Sequence, residues 1–139
     1  MSKYNTNLAS EFHVLSVLHR LGLDAFLTLG NKKTVDIVVK NEKGDIITID
    51  VKGIAKKYDW PADNIRAPRG SKHFLALVSY EGKIEDPTFT PNVWIIPHIE
   101  IEKFIKEYRT RKCVSRSLVT KQGDAFLNAW DLISNPGEA

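Results

Sequence analysis

Two runs rich in β-branched residues, 34–40 and 46–52, flank the segment Asn41-Glu42-Lys43-Gly44-Asp45. Gly44 is free to take a positive φ, so the spacing predicts an antiparallel hairpin. A symmetric hairpin closing over 41–45 sets Asp36 directly opposite Asp50. Side chains alternate along a strand, so Thr48, Asp50 and Lys52 share one face while Ile47, Ile49 and Val51 point into the core. Like charges directly across two strands are destabilising unless a cation lies between them. The hairpin thus restricts the fold and demands a chemical partner at one point of it.

Residues 7–21 read as a helix with apolar positions at Leu8, Phe12, Leu15, Leu18 and Leu21, widened by Val14 and Val17. Asn7 is its expected N-cap and Gly22 its stop. Residues 23–29 read as a first strand, closed by Gly30-Asn31, and 73–80 as a strongly apolar fourth. Residues 93–96 give a short fifth strand, stopped by Pro97, after a polar excursion over 81–92. Helices are expected over 98–108, with Ile99, Ile101, Phe104 and Ile105 inward, and over 123–133, with Phe126, Leu127, Trp130 and Ile133 on one face. The basic segment 54–71 holds Pro61, Pro68 and Gly70 and reads as a functional loop. Residues 135–139 read as a frayed tail.

At 139 residues the chain fits one domain, 1–139, with no repeat. No stretch approaches the ~20 apolar residues that cross a bilayer, so no membrane partner is expected. The single cysteine, Cys113, excludes an internal disulfide scaffold, and the polar start Met1 to Asn7 lacks an apolar signal core. The expected location is cytoplasmic. A net charge of +3 is modest, but the basic residues cluster. Lys52, Lys56, Lys57, Arg66, Arg69 and Lys72 stand against Asp59 and Asp63. Seven further cations between Lys103 and Lys121 stand against Glu107 alone. Such clusters supply phosphate contacts to a nucleic acid, and equally make a solvated basic surface.

The acids are the more specific signal. Buried charges are costly unless paired or bound to a metal. Besides Asp36 and Asp50, Glu11 falls between Leu15 and Leu18 on the helical wheel, so a helix facing the sheet through that stripe aims Glu11 at the carboxylate pair. Mg²⁺ suits such an oxygen site, because it keeps several waters and engages substrate phosphate. Lys52 is placed to neutralise charge on a phosphate and to orient the attacking water; an edge lysine that snorkels is the plain alternative.

Asp36 on one strand, Asp50-Val51-Lys52 ending the next, and Glu11 on the preceding helix form an ordered set that resembles the PD-(D/E)xK nuclease superfamily, the restriction-endonuclease-like fold. The likeness spans roughly residues 7–80 and is best over Ser10-Glu11-Phe12, Leu29-Gly30-Asn31, Val35-Asp36 and Ile49-Asp50-Val51-Lys52-Gly53. It implies an α/β fold with a mixed sheet of about five strands, an N-terminal helix and C-terminal helices. It implies metal ligation by Asp36, Asp50, the Val51 carbonyl and Glu11, with Lys52 as the catalytic lysine. The implied cofactor is Mg²⁺, with Mn²⁺ as a substitute, and the implied activity is DNA phosphodiester hydrolysis, closest to Holliday junction resolvases and related small endonucleases. Val35 stands where the motif's proline would be, and 54–71 has little helix pattern where the family has a crossover helix. The contrasting reading is a non-catalytic nucleic-acid- or protein-binding module, or a subunit of a restriction or mobile-element system that cuts only with its partner.

Lys32, Lys33, Lys56, Lys57, Arg66, Arg69 and Lys72 are the expected DNA contacts. Tyr58, Trp60 and Arg66 are candidates for stacking on bases, with packing of Trp60 onto the sheet as the alternative. His13, His19, His73 and His98 lack metal-ligand spacing with one another and read as structural or surface residues. Cys113 lies in a basic, exposed-looking stretch. A homodimer is expected if both strands of a duplex are cut.

Overall fold

The computed structural model describes residues 2–28, 35–62, 65 and 72–135. Helix α1 (Lys3–Arg20) starts earlier than expected because Ser2, not Asn7, caps it: the Ser2 hydroxyl accepts the Asn5 N–H at 3.1 Å. Strands β1 (Asp24–Leu27), β2 (Ile37–Lys40) and β3 (Ile46–Ile54) follow, then β4 (Trp60–Pro61), β5 (His73–Ser79) and β6 (Asn92–Pro97). A 3₁₀ segment His98–Phe104 leads to β7 (Ile105–Glu107), β8 (Lys112–Val114) and α2 (Arg116–Gln122). A second 3₁₀ turn, Asp124–Phe126, precedes α3 (Asp131–Ser134). Five strands form a mixed sheet in the order β1-β2-β3-β5-β6, in which only β3 and β5 run parallel. The expected α/β architecture is therefore present.

The hairpin sets the site's register. Asn41 Oδ1 accepts the N–H groups of Lys43 and Asp45 at 3.0 and 2.9 Å, and Gly44 turns at φ +83°. The ladder then runs from Lys40↔Ile46 to Ile37↔Ile49. The ladder ends there, and the preceding residue, Asp36, donates its N–H to the same Ile49 carbonyl at 3.0 Å.

Strand β5 is buried along its whole length, as expected of a central strand with a parallel neighbour. Its two faces feed two apolar clusters. Phe74, Ala76 and Val78 join Ile47, Ile49 and Val51 under α1, together with Val14 and Leu18. Leu75 and Leu77 join Trp60, Trp94, Phe104, Val114 and Val119 on the other side.

The buried face of α1 is rotated from the apolar stripe. Thr6, Ser10, Glu11, Val14 and Leu18 are buried, while Phe12 and Leu21 are 54% and 50% exposed. The reason is Gly53. A methyl group there would lie 1.9 Å from Ser10 Oγ and 2.7 Å from Ser10 Cβ, so only small residues fit where helix and strand meet. Strand β3 runs on past the expected end of its run at Lys52, and Gly53 lies within it.

Other expectations fail on the C-terminal side. The segment after β3 supplies β4, which pairs with β8 and through it with β7 in a second, three-stranded sheet. No helix was expected over 116–122, where Ser115 caps α2 by accepting the Leu118 N–H at 3.3 Å. The helix expected over 98–108 is a 3₁₀ segment followed by β7. Three residues per turn align Ile101 and Phe104 inward and leave Ile99 87% exposed. The helix expected over 123–133 is broken at Asn128, whose φ is +54°, and Leu127 bridges to Trp94 instead. Cys113 is buried on β8 rather than exposed.

Candidate functional site

Strand β3 outruns β2. Beyond Ile49 its β2-facing edge has no further ladder partner, and the Asp36 carboxylate takes that place by accepting the Val51 N–H at 2.8 Å. The N–H and carbonyl of a strand residue point the same way, so the Val51 carbonyl opens on the same edge. A cleft of about 810 Å³ lies along it. Glu11, Asp36, Val51 and Lys52 all line this cleft, with Gly53, Ile54, Ala55 and Lys56 continuing its floor. Helix α1 contributes Lys3, Tyr4, Thr6, Asn7 and Leu8 to one wall. Tyr58, Pro61 and Arg111 come from the far side of β3.

The site residues arrive from both faces of the sheet. Asp50 and Lys52 are on the face away from α1, whereas Glu11 comes over the sheet edge from α1 itself. Close approach at Gly53 lowers the helix far enough for this, and Glu11 is only 8% exposed.

Asp50 is not among the described residues that line the cleft. It is 9% exposed, and its Oδ2 lies 3.2 Å from His73 Nε2. His73 Nδ1 lies 2.7 Å from Thr48 Oγ1, so one imidazole links two neighbours on the same face of β3. His98 stacks obliquely on His73 at 5.4 Å. Burial and the nearby His73 hold the His98 imidazole below its ordinary pKa. Nothing local to Asp50 announces this contact, because it crosses between parallel strands whose register only the fold defines. Among the described residues, no three acidic, imidazole or thiol side chains converge into a cluster able to hold a metal.

The expected DNA contacts divide. Lys56 lines the cleft and Lys57 is exposed beside it. Lys72 pairs with Asp45 at 2.9 Å, at the hairpin end of β3. Lys32, Lys33, Arg66 and Arg69 lie outside the described residues. Lys3, Tyr4 and Arg111, which sequence reasoning did not select, are cleft residues. Trp60 is fully buried and donates from Nε1 to the Val78 carbonyl at 3.1 Å, so it packs the segment onto the sheet, whereas Tyr58 is 62% exposed.

No family model matches the chain, and no curated protein matches it. No helix among the described residues is long and apolar enough to cross a membrane. Among solved structures, the chain is similar to a bacterial homing endonuclease, I-Ssp6803I, at a TM-score of 0.60 and 18% identity. The match covers 98% of this chain and 94% of that one, so the two share a fold along nearly their whole length.

Proposed function

We propose that this chain is a divalent-cation-dependent endodeoxyribonuclease of the PD-(D/E)xK type. The observation that carries the reading is the meeting of Glu11, Asp36, Val51 and Lys52 in one cleft with Lys3, Lys56 and Arg111 around it. The fold shared with a homing endonuclease supports it.

The donor chemistry fits Mg²⁺. Mg²⁺ is held by one or two carboxylates plus waters and substrate phosphate rather than by a complete protein cage. Asp36 and Glu11 in the cleft, the Val51 carbonyl beside them and Asp50 behind would be its protein ligands, all hard oxygens. When bound, the cation supplies Lewis-acid polarisation of the phosphate and lowers the pKa of its water. The protein's own share is positional. The Val51 N–H fixes the Asp36 carboxylate, and His73 fixes that of Asp50. Lys52 brings a positive charge to the phosphate oxygens and stabilises charge that develops there during in-line attack. The surrounding cations hold the DNA backbone.

The test is a cleavage panel of supercoiled plasmid, linear duplex, single-stranded DNA and a four-way junction, each with Mg²⁺, Mn²⁺ and EDTA. Wild type should cut only with a metal, and the Asp50→Asn and Lys52→Ala variants should lose at least ~100-fold in rate while still binding DNA. Equal cutting by either variant would sink the proposal. Preference for the junction would favour resolvase-like specificity. Cutting both strands of a duplex asks for two clefts, so a homodimer is part of the proposal, checked by light scattering.

A second reading is a DNA-binding module without catalysis. The pairing of Asp50 with His73, away from the described cleft lining, favours it. Calorimetric titration with Mn²⁺ separates the two readings, since the module would show no heat of binding.

A further inference from the structure

The cleft carries two large aromatic rings that packing does not use. Tyr4, in the first turn of α1, is 70% exposed, and Tyr58, in the segment after β3, is 62% exposed. Single exposed aromatics on a surface are ordinary. These two come from separate elements and line the same cleft as Glu11, Asp36 and Lys52.

Both are held by their backbones. Tyr4 belongs to a helix capped by Ser2 and packed tightly at Gly53. Tyr58 precedes Asp59, whose carboxylate accepts the Arg116 N–H at 2.8 Å and the Tyr108 hydroxyl at 3.2 Å. The next residue, Trp60, is fully buried. Each ring is therefore presented on an anchored chain, and little ordering is left to be done on binding. Lys3, Lys52, Lys56 and Arg111 line the cleft with them, and none forms an ion pair with a described residue.

A positively charged groove combined with exposed rings is what an unpaired polynucleotide recognises: cations follow its phosphates and bases stack on the aromatics. A base-paired duplex hides its base faces and gives such rings nothing to stack on. We propose that the cleft takes an unpaired stretch of DNA beside the phosphate to be cut, with Tyr4 and Tyr58 as its base-stacking platforms. This rests on the nuclease reading and names the form of its substrate.

The test measures binding and cutting separately on the full chain. Binding is read in EDTA by fluorescence anisotropy, with a labelled thymidine homopolymer and with a blunt duplex of equal length. Tyr4→Ala and Tyr58→Ala should each weaken homopolymer binding by about 5- to 150-fold and leave duplex binding within about 2-fold. Tyr4→Phe and Tyr58→Phe should restore it, because the ring and not the hydroxyl stacks. Lys56→Ala with Arg111→Ala should weaken both ligands and flatten the salt dependence. Cutting is read with Mg²⁺ on a duplex carrying an internal single-stranded gap, where the alanine variants should be slow and the phenylalanine variants normal. Equal binding of homopolymer by wild type and alanine variants, or loss in the phenylalanine variants, overturns the stacking proposal. If the fully paired duplex is then cut well, the nuclease reading survives alone. If neither ligand binds and nothing is cut, both readings fall.

Discussion

The two layers that cover the central sheet are built differently. On one face α1 sits close, with Thr6 and Ser10 against a strand glycine, and α3 adds Ile133 to the same cluster. On the other, a patchwork of short strands, 3₁₀ turns and α2 is filled by bulky rings: Trp60 and Trp94 meet edge to face at 5.8 Å, and Phe104 and Phe126 at 6.2 Å. Close contact fixes distance, so the α1 layer delivers Glu11 to the cleft edge. Bulk supplies burial, so the second layer stabilises the sheet without setting the position of that acid. Errors in the first layer should appear as lost activity and errors in the second as lost stability.

The largest stability effect should come from Phe104→Ala. Phe104 is 1% exposed, so truncation should cost about 3–5 kcal/mol, read by urea denaturation. Cleavage per folded molecule should be unchanged; if it falls in step with stability, the division between layers is wrong.

Gly53→Ala should cost about 3 kcal/mol, the upper end for overpacking, since the obstructing Ser10 Cβ cannot rotate away. Unlike Phe104→Ala, it should cut turnover at least ~10-fold under conditions where the variant is fully folded, by lifting Glu11. Retained activity would mean that helix and strand are not tightly coupled.

Arg116→Ala should cost about 1.5–3 kcal/mol, because Arg116 bonds both Ser79 and Glu81 with 17% of its side chain exposed. Burial alone would raise the Glu81 carboxyl, but hydrogen bonds from Arg116, Asn92 and Ser79 outweigh it and hold the group below its ordinary value. The folded pKa is therefore lower than the unfolded one. The stabilisation is present above the ordinary glutamate range of about 4.3 and is lost as pH falls through the folded value. Wild type and variant should converge in stability under acid, and a constant gap would show that Glu81 is not the partner that matters.

The smallest effect should come from Asn41→Ala, which removes the acceptor of two turn N–H groups and should cost about 1–2 kcal/mol. Its interest is in the register: amide exchange of Val51, bonded to Asp36, should rise more than that of Phe104.

The part of the chain that was legible is the part whose partners are close in sequence. The hairpin over 41–45 set the ladder from Lys40↔Ile46 to Ile37↔Ile49 by local turn chemistry alone, and Asp36 follows at its end. The apolar run over 73–80 identified a strand by composition, and it is β5. The α1 stripe was misleading because it counts apolar residues, whereas the contact at Gly53 selects small ones. The second sheet was not legible at all. Strands of two or three residues carry no period, and Trp60 meets Val114 only once the fold is made. The same holds within the site: the acids and Lys52 stood out in the sequence, but the approach of His73 to Asp50 depends on a parallel register.

The alternation of β3 also limits how this protein can change over time. Turn residues can be exchanged if one of them still bends at Gly44's φ. Strand length is less negotiable. One residue inserted between Ile46 and Ile49 would carry Asp50 and Lys52 round beneath α1 and push Ile49 and Val51 out to the opposite face. Core and site would fail together, in a single step. Substitutions can therefore accumulate along this hairpin, while insertions and deletions there would be expected only in pairs.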